Sequence, residues 1–446
     1  MSARLRRSGL TPIAGRLPAA LDHLIMKPLF RSLSLAACIT LAACTVGPDY
    51  HRETIRLPGR FAGHQGLADQ AQLAASAREL RQWWAYYRDP LLNRLVAQAI
   101  DNNNDFKIAG QRILAERALR DIQASAWYPQ LDGSVGGGDV RHSIVVNDWP
   151  LRPGTPGNDP EVPYLMYGAT ASWETDLFGK VRRSVEASDA AVQVSVEQRR
   201  GVLLAILHAL VSDYVALRAN QQALAVARQS AKVANEAMQL AQHHFRDGIG
   251  TSLEIDEANA ELKVRQSDFA PLQRNIAQTT HAIDVLLGQL PGTTEAELKQ
   301  PGPMPEVPDF PETLPARVLL NRPDIRAAER SYAEATARIG VAVAQLYPDL
   351  SVPLTYNPIA SSLSQLFTIN AQAWQFLLKA SLPLAHGGRD TARIIAAKAD
   401  AEASRLQYHQ TVLQAFRDIE DAMVAWQKDG QYARARRDVV AVDEQV

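Results

Sequence analysis

Few residues in this chain of 446 amino acids could take part in covalent chemistry, and the two cysteines come first among them. Cys38 lies in an apolar stretch, whereas Cys44 closes the tetrapeptide Leu41-Ala42-Ala43-Cys44. The ten histidines include the neighbours His243 and His244, but adjacent residues on a helix point about 100° apart and no spacing typical of a zinc site surrounds them. No Ser/His/Asp motif has a recognisable context. The sequence therefore predicts no enzyme, no catalytic residue and no metal site, and it leaves the Cys44 thiol as the group with expected chemistry.

Residues 1–43 are predicted to be a signal region. A basic segment, Met26 to Arg31, precedes an apolar stretch, Leu33 to Leu41, and small residues follow it. The tetrapeptide that ends at Cys44 resembles a bacterial lipoprotein box, which implies covalent diacylglycerol and N-acyl lipid on this cysteine and no other cofactor. A buried cysteine in an apolar helix is the alternative interpretation. Met26 is the expected true start, because residues 1–25 add four arginines ahead of an otherwise complete signal.

Charge and composition exclude several classes of protein. Loss of residues 1–43 removes six basic residues and one acidic residue from totals of 47 and 48, which leaves 41 and 47 and a net charge of −6. A nucleic-acid-binding protein needs a basic surface, so no nucleic-acid partner is expected. Cys44 is the only cysteine of the mature chain, so no disulfide can form within it. No stretch of the body approaches 18 uninterrupted apolar residues, which argues against a transmembrane helix.

The body of the chain is a duplicated pattern. Residues between Asn102 and Leu131 recur 219 positions later, and residues between Ser172 and Ala216 recur 209 positions later. The difference falls in a loop between two predicted strands. The predicted domains are a lipidated extended segment over 44–88, a first repeat over 89–300 (helix, strand, strand, helix, helix), a proline-rich strap over 301–315 and a second repeat over 316–446.

Long helices dominate each repeat. The segment 181–247 contains a single glycine and is predicted to form one helix of about 67 residues, roughly 100 Å long. The helix ahead of the strands, predicted over 89–127, is interrupted only by Gly110, and a return helix over 252–287 is expected to kink at Pro271. Helices of this length are stable only when they lie side by side, as in coiled coils and bundles.

Two segments alternate strictly between apolar and polar residues. One face of Tyr164 to Phe178 is formed by Leu165, Tyr167, Ala169, Ala171, Trp173 and Leu177, and one face of Ala371 to Leu384 is formed by Trp374, Phe376, Leu378, Ala380, Leu382 and Leu384, as in a barrel strand with one face in lipid. A strand of a soluble sandwich is the alternative interpretation. Each repeat supplies two strands, and four strands cannot close a barrel, while an open edge is not tolerated in lipid. A membrane-spanning chain must therefore associate, and three copies would supply twelve strands.

Several short motifs point to one family. They are Cys44-Thr45-Val46-Gly47-Pro48-Asp49-Tyr50, Trp83-Trp84-Ala85-Tyr86-Tyr87-Arg88-Asp89-Pro90-Leu91-Leu92, Asn103-Asn104-Asp105, Phe245-Arg246-Asp247-Gly248-Ile249-Gly250-Thr251-Ser252-Leu253-Glu254, Leu286-Leu287-Gly288, Leu314-Pro315, Arg322-Pro323-Asp324-Ile325 and Ala328-Glu329. Together they resemble the outer-membrane lipoprotein channels of tripartite efflux systems, the TolC-like family, in its NodT subgroup.

This resemblance implies a fold class of α plus membrane β-barrel. It implies a homotrimer with a twelve-stranded barrel in the outer-membrane lipid and a long α-helical coiled-coil tunnel across the periplasm. The implied partners are a periplasmic adaptor protein and an inner-membrane pump of the resistance-nodulation-division (RND) class. The implied function is a passive export duct for small molecules, whether drugs, organic acids or metal ions. Thr45, rather than Asp, after the lipidated cysteine implies release to the outer membrane.

Asp418 and Asp421 are the candidate residues of a periplasmic gate. They are three residues apart and share one face of a helix whose counterpart in the family narrows the periplasmic end. In a trimer they would form rings of carboxylates, which favour cations over anions. Their counterparts in the first repeat, at an offset of 209, are Ala209 and Ser212. A solvated acidic helix face is the alternative interpretation.

The second repeat ends before its counterpart of Gly248. At an offset of 209 that glycine would fall near position 457, so the final return helix of about 45 residues is expected to be missing and the chain to be C-terminally truncated. Two alternatives to a working channel follow, namely a truncated non-functional channel and a lipid-anchored periplasmic coiled-coil adaptor or scaffold. An enzyme is the third and weakest hypothesis.

Overall fold

The computed structural model describes residues 45–55, 80–141, 161–306 and 316–443, and these residues form two compact units. The strand unit consists of residues 45–47, 126–141, 161–183 and 343–387, and the helical unit consists of the other described residues. Each unit therefore draws segments from both sequence repeats. The signal region and Cys44 lie outside the described residues, as do residues 56–79, residues 142–160 and most of the predicted strap (307–315).

The strand unit contains one antiparallel sheet. Its strands are β1 (Gln130–Arg141), β2 (Glu161–Thr175), β3 (Asp349–Tyr356), β4 (Ile359–Ala360), β5 (Trp374–Phe376) and β6 (Lys379–Ser381). The strand order is β1-β2-β3-β5, with β6 also paired to β3 and β4 paired to β2. The first three strands therefore run up and down in chain order, and β5 and β6 follow one another along the free side of β3.

The two predicted lipid-facing strands have other bounds in the structure than the sequence predicts. The first ends at Thr175 rather than Phe178, because the carboxylate of Asp176 accepts the backbone N–H of Val181 and so caps the following helix. The second, predicted as one strand, is split into β5 and β6. Pro353 on β3 lies opposite this split. Because proline has no N–H to donate, the ladder of backbone hydrogen bonds is interrupted there. The Pro353 carbonyl still accepts the backbone N–H of Leu377 (3.1 Å).

Among the described residues, the α-helices of eight or more residues are α1 (Pro90–Asn102), α2 (Asn104–Ser125), α3 (Lys180–Arg246), α4 (Ser252–Ser267), α5 (Phe269–Leu286), α7 (Pro323–Ala344) and α9 (Arg389–Asp443). Two short helices are α6 (Glu295–Leu298) and α8 (Leu363–Leu366). Helix α3 has the predicted length of 67 residues, and α9 has 55. The two begin 209 residues apart, which is the offset of the sequence repeat.

Two predicted helix breaks occur at other residues. The helix ahead of the strands is continuous at Gly110 and breaks at Asn103, whose side-chain oxygen accepts the backbone N–H of Phe106 (3.1 Å) and so starts α2. The return helix breaks at Asp268, three residues before Pro271, because a proline disrupts the turn that precedes it. The segment 44–88 was predicted to be extended, but Leu80–Tyr87 forms a 3-10 helix that is irregular at Gln82.

The main core of the helical unit lies among α1, α3 and α5. Its fully buried side chains include Leu95 of α1, Leu210 and Leu217 of α3, and Ile283 of α5. By length and composition, α3 alone among the described helices would also qualify as a membrane span. Because its apolar residues pack in this core, they already have a structural role. A smaller core contains Tyr408 of α9 and its neighbours.

A buried tyrosine in the main core predicts a pH dependence of stability. The hydroxyl of Tyr214 donates to Asp89 (2.6 Å), and burial, followed by this bond, raises the pKa of Tyr214 to about 12. A raised pKa contributes stability that is complete below pH 10 and lost as pH rises towards 12. The unfolding free energy of the wild type should fall by up to about 3 kcal/mol between pH 10 and pH 12 because of this group. We expect Tyr214→Phe to lack that fall. The control is Tyr432→Phe at an exposed position, and equal alkaline slopes for both variants would contradict the prediction.

Candidate channel elements

One face of the sheet is apolar across all its strands. Residues directly opposite one another on antiparallel strands share a face. The register therefore places Leu131, Ala171, Leu354 and Phe376 in one row of this face. The adjacent row consists of Gly133, Ala169, Tyr356 and Trp374. These side chains are largely open within the described chain, with Trp374 73% exposed, so the predicted apolar face is a surface that needs a nonaqueous neighbour.

The opposite face of the same strands carries polar side chains in two rows, whereas Tyr164 and Met166 lie farther along β2 on this face. One row consists of Asp132, Thr170, Thr355 and Gln375, and a second contains Glu174, Ser351 and Lys379. The alternation therefore separates a lipid-compatible face from a water-compatible face, as the sequence predicts. The two outer positions of the sheet, at β1 and at β5 with β6, each pair on only one side among the described strands. Such edges expose backbone N–H and C=O groups that need partners in a membrane.

The residues that follow Cys44 are held at the end of this sheet. The backbone N–H of Val46 donates to the carbonyl of Phe178 (3.2 Å), and the guanidinium of the buried Arg183 donates to the carbonyl of Val46 (3.2 Å). Gly179 has φ +82°, and a Cβ there would lie 2.6 Å from Thr45. The start of the described chain is thus fixed beside the junction of β2 and α3.

Several motif residues that are distant in sequence meet in the helical unit. The hydroxyl of Tyr50 donates to Glu329 (2.5 Å). The side-chain amide of Asn103 donates to the carbonyl of Leu286 (2.9 Å), which joins the α1–α2 junction to the end of α5. Sequence reasoning treated these motifs as separate marks of a family and missed both contacts. Only Asn103 and Leu286 lie at helix ends, which was a usable signal for the second contact.

The two candidate gate residues have different surroundings. Asp418 accepts a hydrogen bond from Arg322 (3.2 Å), and its side chain is 39% exposed. Asp421 is 75% exposed and lies 3.7 Å from Arg417 of the same helix. Among the described residues, no group of three His, Cys, Asp or Glu side chains could hold a metal ion, and His243 lies 3.0 Å from Arg246. The lipidation candidate, Cys44, is outside the described residues.

A family model described as outer membrane efflux protein matches residues 95–289 and 314–445, well over half of the chain. The chain belongs to this family. The efflux protein is 27% identical over 413 residues to the solvent efflux pump outer membrane protein SrpC of Pseudomonas putida, covering 92% of this chain and 86% of SrpC. It is 29% identical over 408 residues to nodulation protein T of Rhizobium leguminosarum bv. trifolii, covering 91% and 84%.

A solved structure shares the fold of this efflux protein. The outer-membrane channel OprN has a TM-score of 0.73 to this chain, with 30% identity over 88% of this chain and 85% of OprN. The fold is therefore that of the TolC-like outer-membrane channels, and it is mostly helical. The protein is an outer-membrane channel subunit of a tripartite efflux system, and its relatives are efflux proteins rather than enzymes. This role implies an adaptor and an inner-membrane pump as partners.

Proposed function

We propose that three copies of this chain form one passive duct with a twelve-stranded barrel in the outer membrane. Counting β3 with β4 and β5 with β6 as single strand positions, each chain offers four positions, so three chains give twelve. The observation that carries the proposal is the sheet itself, which has one apolar face, one polar face and two open edges. Closure between chains pairs the edges, turns the apolar face to lipid and leaves the polar face around a water-filled lumen.

The helical unit supplies the periplasmic tunnel of this duct. Helix α3 has 67 residues, which corresponds to roughly 100 Å at 1.5 Å per residue. Helices of this length from three chains line the periplasmic part of the export path. The duct performs no chemistry, and the energy for export comes from an inner-membrane pump of the RND class reached through a periplasmic adaptor. Asp418 and Asp421 on α9 contribute carboxylates to the periplasmic end of the path, where acidic rings favour cations.

The cargo is a class of small molecules rather than one compound. SrpC is named as part of a solvent efflux pump, whereas nodulation protein T carries no cargo in its name. The polar face of the sheet offers side chains of both charges, such as Glu174 and Lys379. A duct of this kind passes drugs, organic acids or metal ions that its pump selects.

Lipid on Cys44 anchors the proposed trimer in the membrane. The proposal is supported by the residues that follow this cysteine in sequence, because Thr45 and Val46 are fixed beside the β2–α3 junction. Several acyl chains provide stable anchoring, which a single chain does not. Diacylglycerol and an N-acyl chain on Cys44 are therefore the covalent groups that the protein needs.

The test is detergent extraction of outer membranes from cells that make this chain, followed by native mass measurement. We expect a trimer of acylated chains that begin at Cys44. Cys44→Ala removes the thiol, and we expect no incorporation of labelled palmitate and no mature lipoprotein. A monomer in native conditions would overturn the trimer, and palmitate label retained by the Cys44→Ala protein would overturn the lipidation site.

A further inference from the structure

The loop between β4 and β5, residues 361–373, is ordered by its own hydrogen bonds. It contains the short helix α8, which is followed by a short 3-10 turn. The backbone N–H of Leu366 donates to the carbonyl of Ser362 (3.1 Å), and that of Ala371 donates to the carbonyl of Thr368 (3.1 Å). An unpaired backbone group is costly next to hydrocarbon, so such local bonding is what a segment at the edge of a bilayer requires.

The β4–β5 loop lies on the apolar face of the sheet. The ring of Phe367 stacks on the ring of Tyr167 of β2, with centroids 5.5 Å apart. Alternation along β2 places Tyr167 on the same face as Ala169 and Ala171. Helix α8 also packs against β2 and β4. Phe367 therefore extends the apolar face outward from the strands.

The level of Tyr167 on the sheet places the loop at the rim of this face. Val135 of β1 lies opposite Tyr167. Asp139, which is exposed, lies on the same face four residues farther along β1, a distance of about 13 Å along the strand. Tyr356 contacts Tyr167 edge to face at 6.3 Å, and tyrosines of this kind are typical of membrane interfaces. The loop thus lies where the apolar face gives way to water.

Three apolar side chains of the loop are largely exposed within the described chain. Leu363 is 64% exposed, Phe367 70% and Ile369 80%. Leu366 and Ala371 of the same loop are buried, so the segment is anchored and its other apolar side chains still face outward. A cluster of exposed apolar side chains marks an interaction site.

The absence of charge around the loop indicates the chemistry of its partner. Residues 350–378 contain no Asp, Glu, Lys, Arg or His. The sequence of the corresponding loop in the first repeat, residues 142–160, contains Asp148, Arg152 and Asp159. Because a charged side chain is costly to bring to hydrocarbon, this difference between the repeats favours a nonpolar neighbour for the β4–β5 loop.

A second copy of the chain is the other candidate neighbour. In the proposed barrel, chains meet at the edges of the sheet, which are β1 on one side and β5 with β6 on the other. Helix α8 packs instead against β4 and against β2, which is flanked by β1 and β3. Leu363 and Phe367 therefore lie over the interior of the sheet, where the proposed barrel meets lipid rather than another chain.

We propose that the β4–β5 loop is a lipid-binding element that rests on the membrane surface and inserts Leu363, Phe367 and Ile369 among the acyl chains of the outer leaflet. This inference rests on the proposed function, in which the apolar face contacts lipid. Helix α7 leads into β3 and β6 leads into α9, so the loop lies at the end of the sheet opposite both connections, which the proposed function places at the cell exterior. The loop thereby widens the lipid contact beyond the strands, as an interfacial helix does.

Spin labelling of the full-length acylated protein, in vesicles of phosphatidylethanolamine and phosphatidylglycerol, tests the proposal. Leu363→Cys, Phe367→Cys and Ile369→Cys each provide one labelling site, and the unsubstituted protein measures any label on Cys44. Molecular oxygen concentrates in hydrocarbon whereas a neutral nickel chelate stays in water, so power saturation gives the ratio of collisions with the two reagents. We expect this ratio to be several times higher at the three loop positions than for Asp139→Cys, the matched control on the same face.

Two further labels separate the loop from the duct. Leu354→Cys and Thr355→Cys report on the two faces of β3, and equal ratios at these positions would reject the proposed duct. High ratios in the loop would then still support its binding to lipid. A high ratio at Leu354 combined with ratios in the loop as low as at Asp139 would overturn the role of the loop and leave the duct in place. Loop labels that neither reagent reaches would show a protein surface there and would also overturn the proposal.

Discussion

Leu354→Arg is expected to abolish accumulation of the channel in the outer membrane. Leu354 lies on the central strand β3, in the apolar row that also contains Ala171 and Phe376. An arginine on the lipid face of a barrel costs about 2–4 kcal/mol near the midplane of the bilayer, and the proposed trimer would contain the substitution three times. We expect outer-membrane fractions of this variant to contain no trimer, as measured by native gel and immunoblot.

The adjacent residue provides a matched control. Thr355 lies on the same strand, but its row contains Asp132 and Gln375 on the polar face. Thr355→Arg introduces the same side chain one residue away on the face that we assign to water, so trimer should form at near wild-type levels. If both variants assembled equally, or if Thr355→Arg alone were lost, the assignment of the two faces would be reversed or absent.

The faces of the sheet and the long helix could be predicted because they depend on local patterns. Alternation within β2 places Ala171 and Ser172 on opposite faces whatever their neighbours are, and the pairing in the structure preserves that separation. The length of α3 follows from a run of helix-compatible residues that ends at Asp247-Gly248, where Gly248 has φ +80°. The family of the protein was inferred from short motifs, because the periodicity of apolar residues indicates a fold but not a family.

The breaks in these elements could not be predicted because their causes lie elsewhere in the chain. The split between β5 and β6 arises from Pro353 on a neighbouring strand. The end of α1 depends on Asn103, whose amide is bonded to a carbonyl 183 residues away, whereas Gly110 fits within a continuous helix. A glycine inside a helix costs only about 1 kcal/mol, so packing overrides it.

The candidate sites divide in the same way. Sequence spacing brought Asp418 and Asp421 together on one helix face, but only the fold shows that Arg322 donates to Asp418. Other motifs turned out to set backbone geometry. Thr251 and Glu254 form a reciprocal capping box at the start of α4. Several of the family motifs in this chain therefore set where helices begin and end. These motifs act on the transport path through the placement of the helices.

Gly288 provides the sharpest test of this positional role. It follows α5 in the motif Leu286-Leu287-Gly288, and its N–H bonds to the carbonyl of Val285 (3.0 Å), as in a helix end closed by a left-handed residue. Its φ is +70°, and a Cβ would lie 2.5 Å from the backbone oxygen of Asn102 at the end of α1. Because that neighbour is backbone, it cannot move aside without shifting the α1–α2 junction.

Gly288→Ala is therefore expected to destabilise the helical unit far more than Gly292→Ala. Gly292 also has positive φ, at +96°, but a Cβ there meets nothing within 4 Å. The backbone strain of a nonglycine residue costs about 1–2 kcal/mol, which is the whole loss expected at Gly292. At Gly288 the contact with Asn102 adds to the strain, and we expect a loss of more than about 4 kcal/mol. Thermal loss of helical circular dichroism in purified protein ranks the two variants. Of the two φ angles, the one at Gly292 is the less favourable for alanine, so backbone strain alone would make Gly292→Ala the less stable variant. If Gly288→Ala were as stable as Gly292→Ala or more stable, the approach of Asn102 would not constrain this helix end.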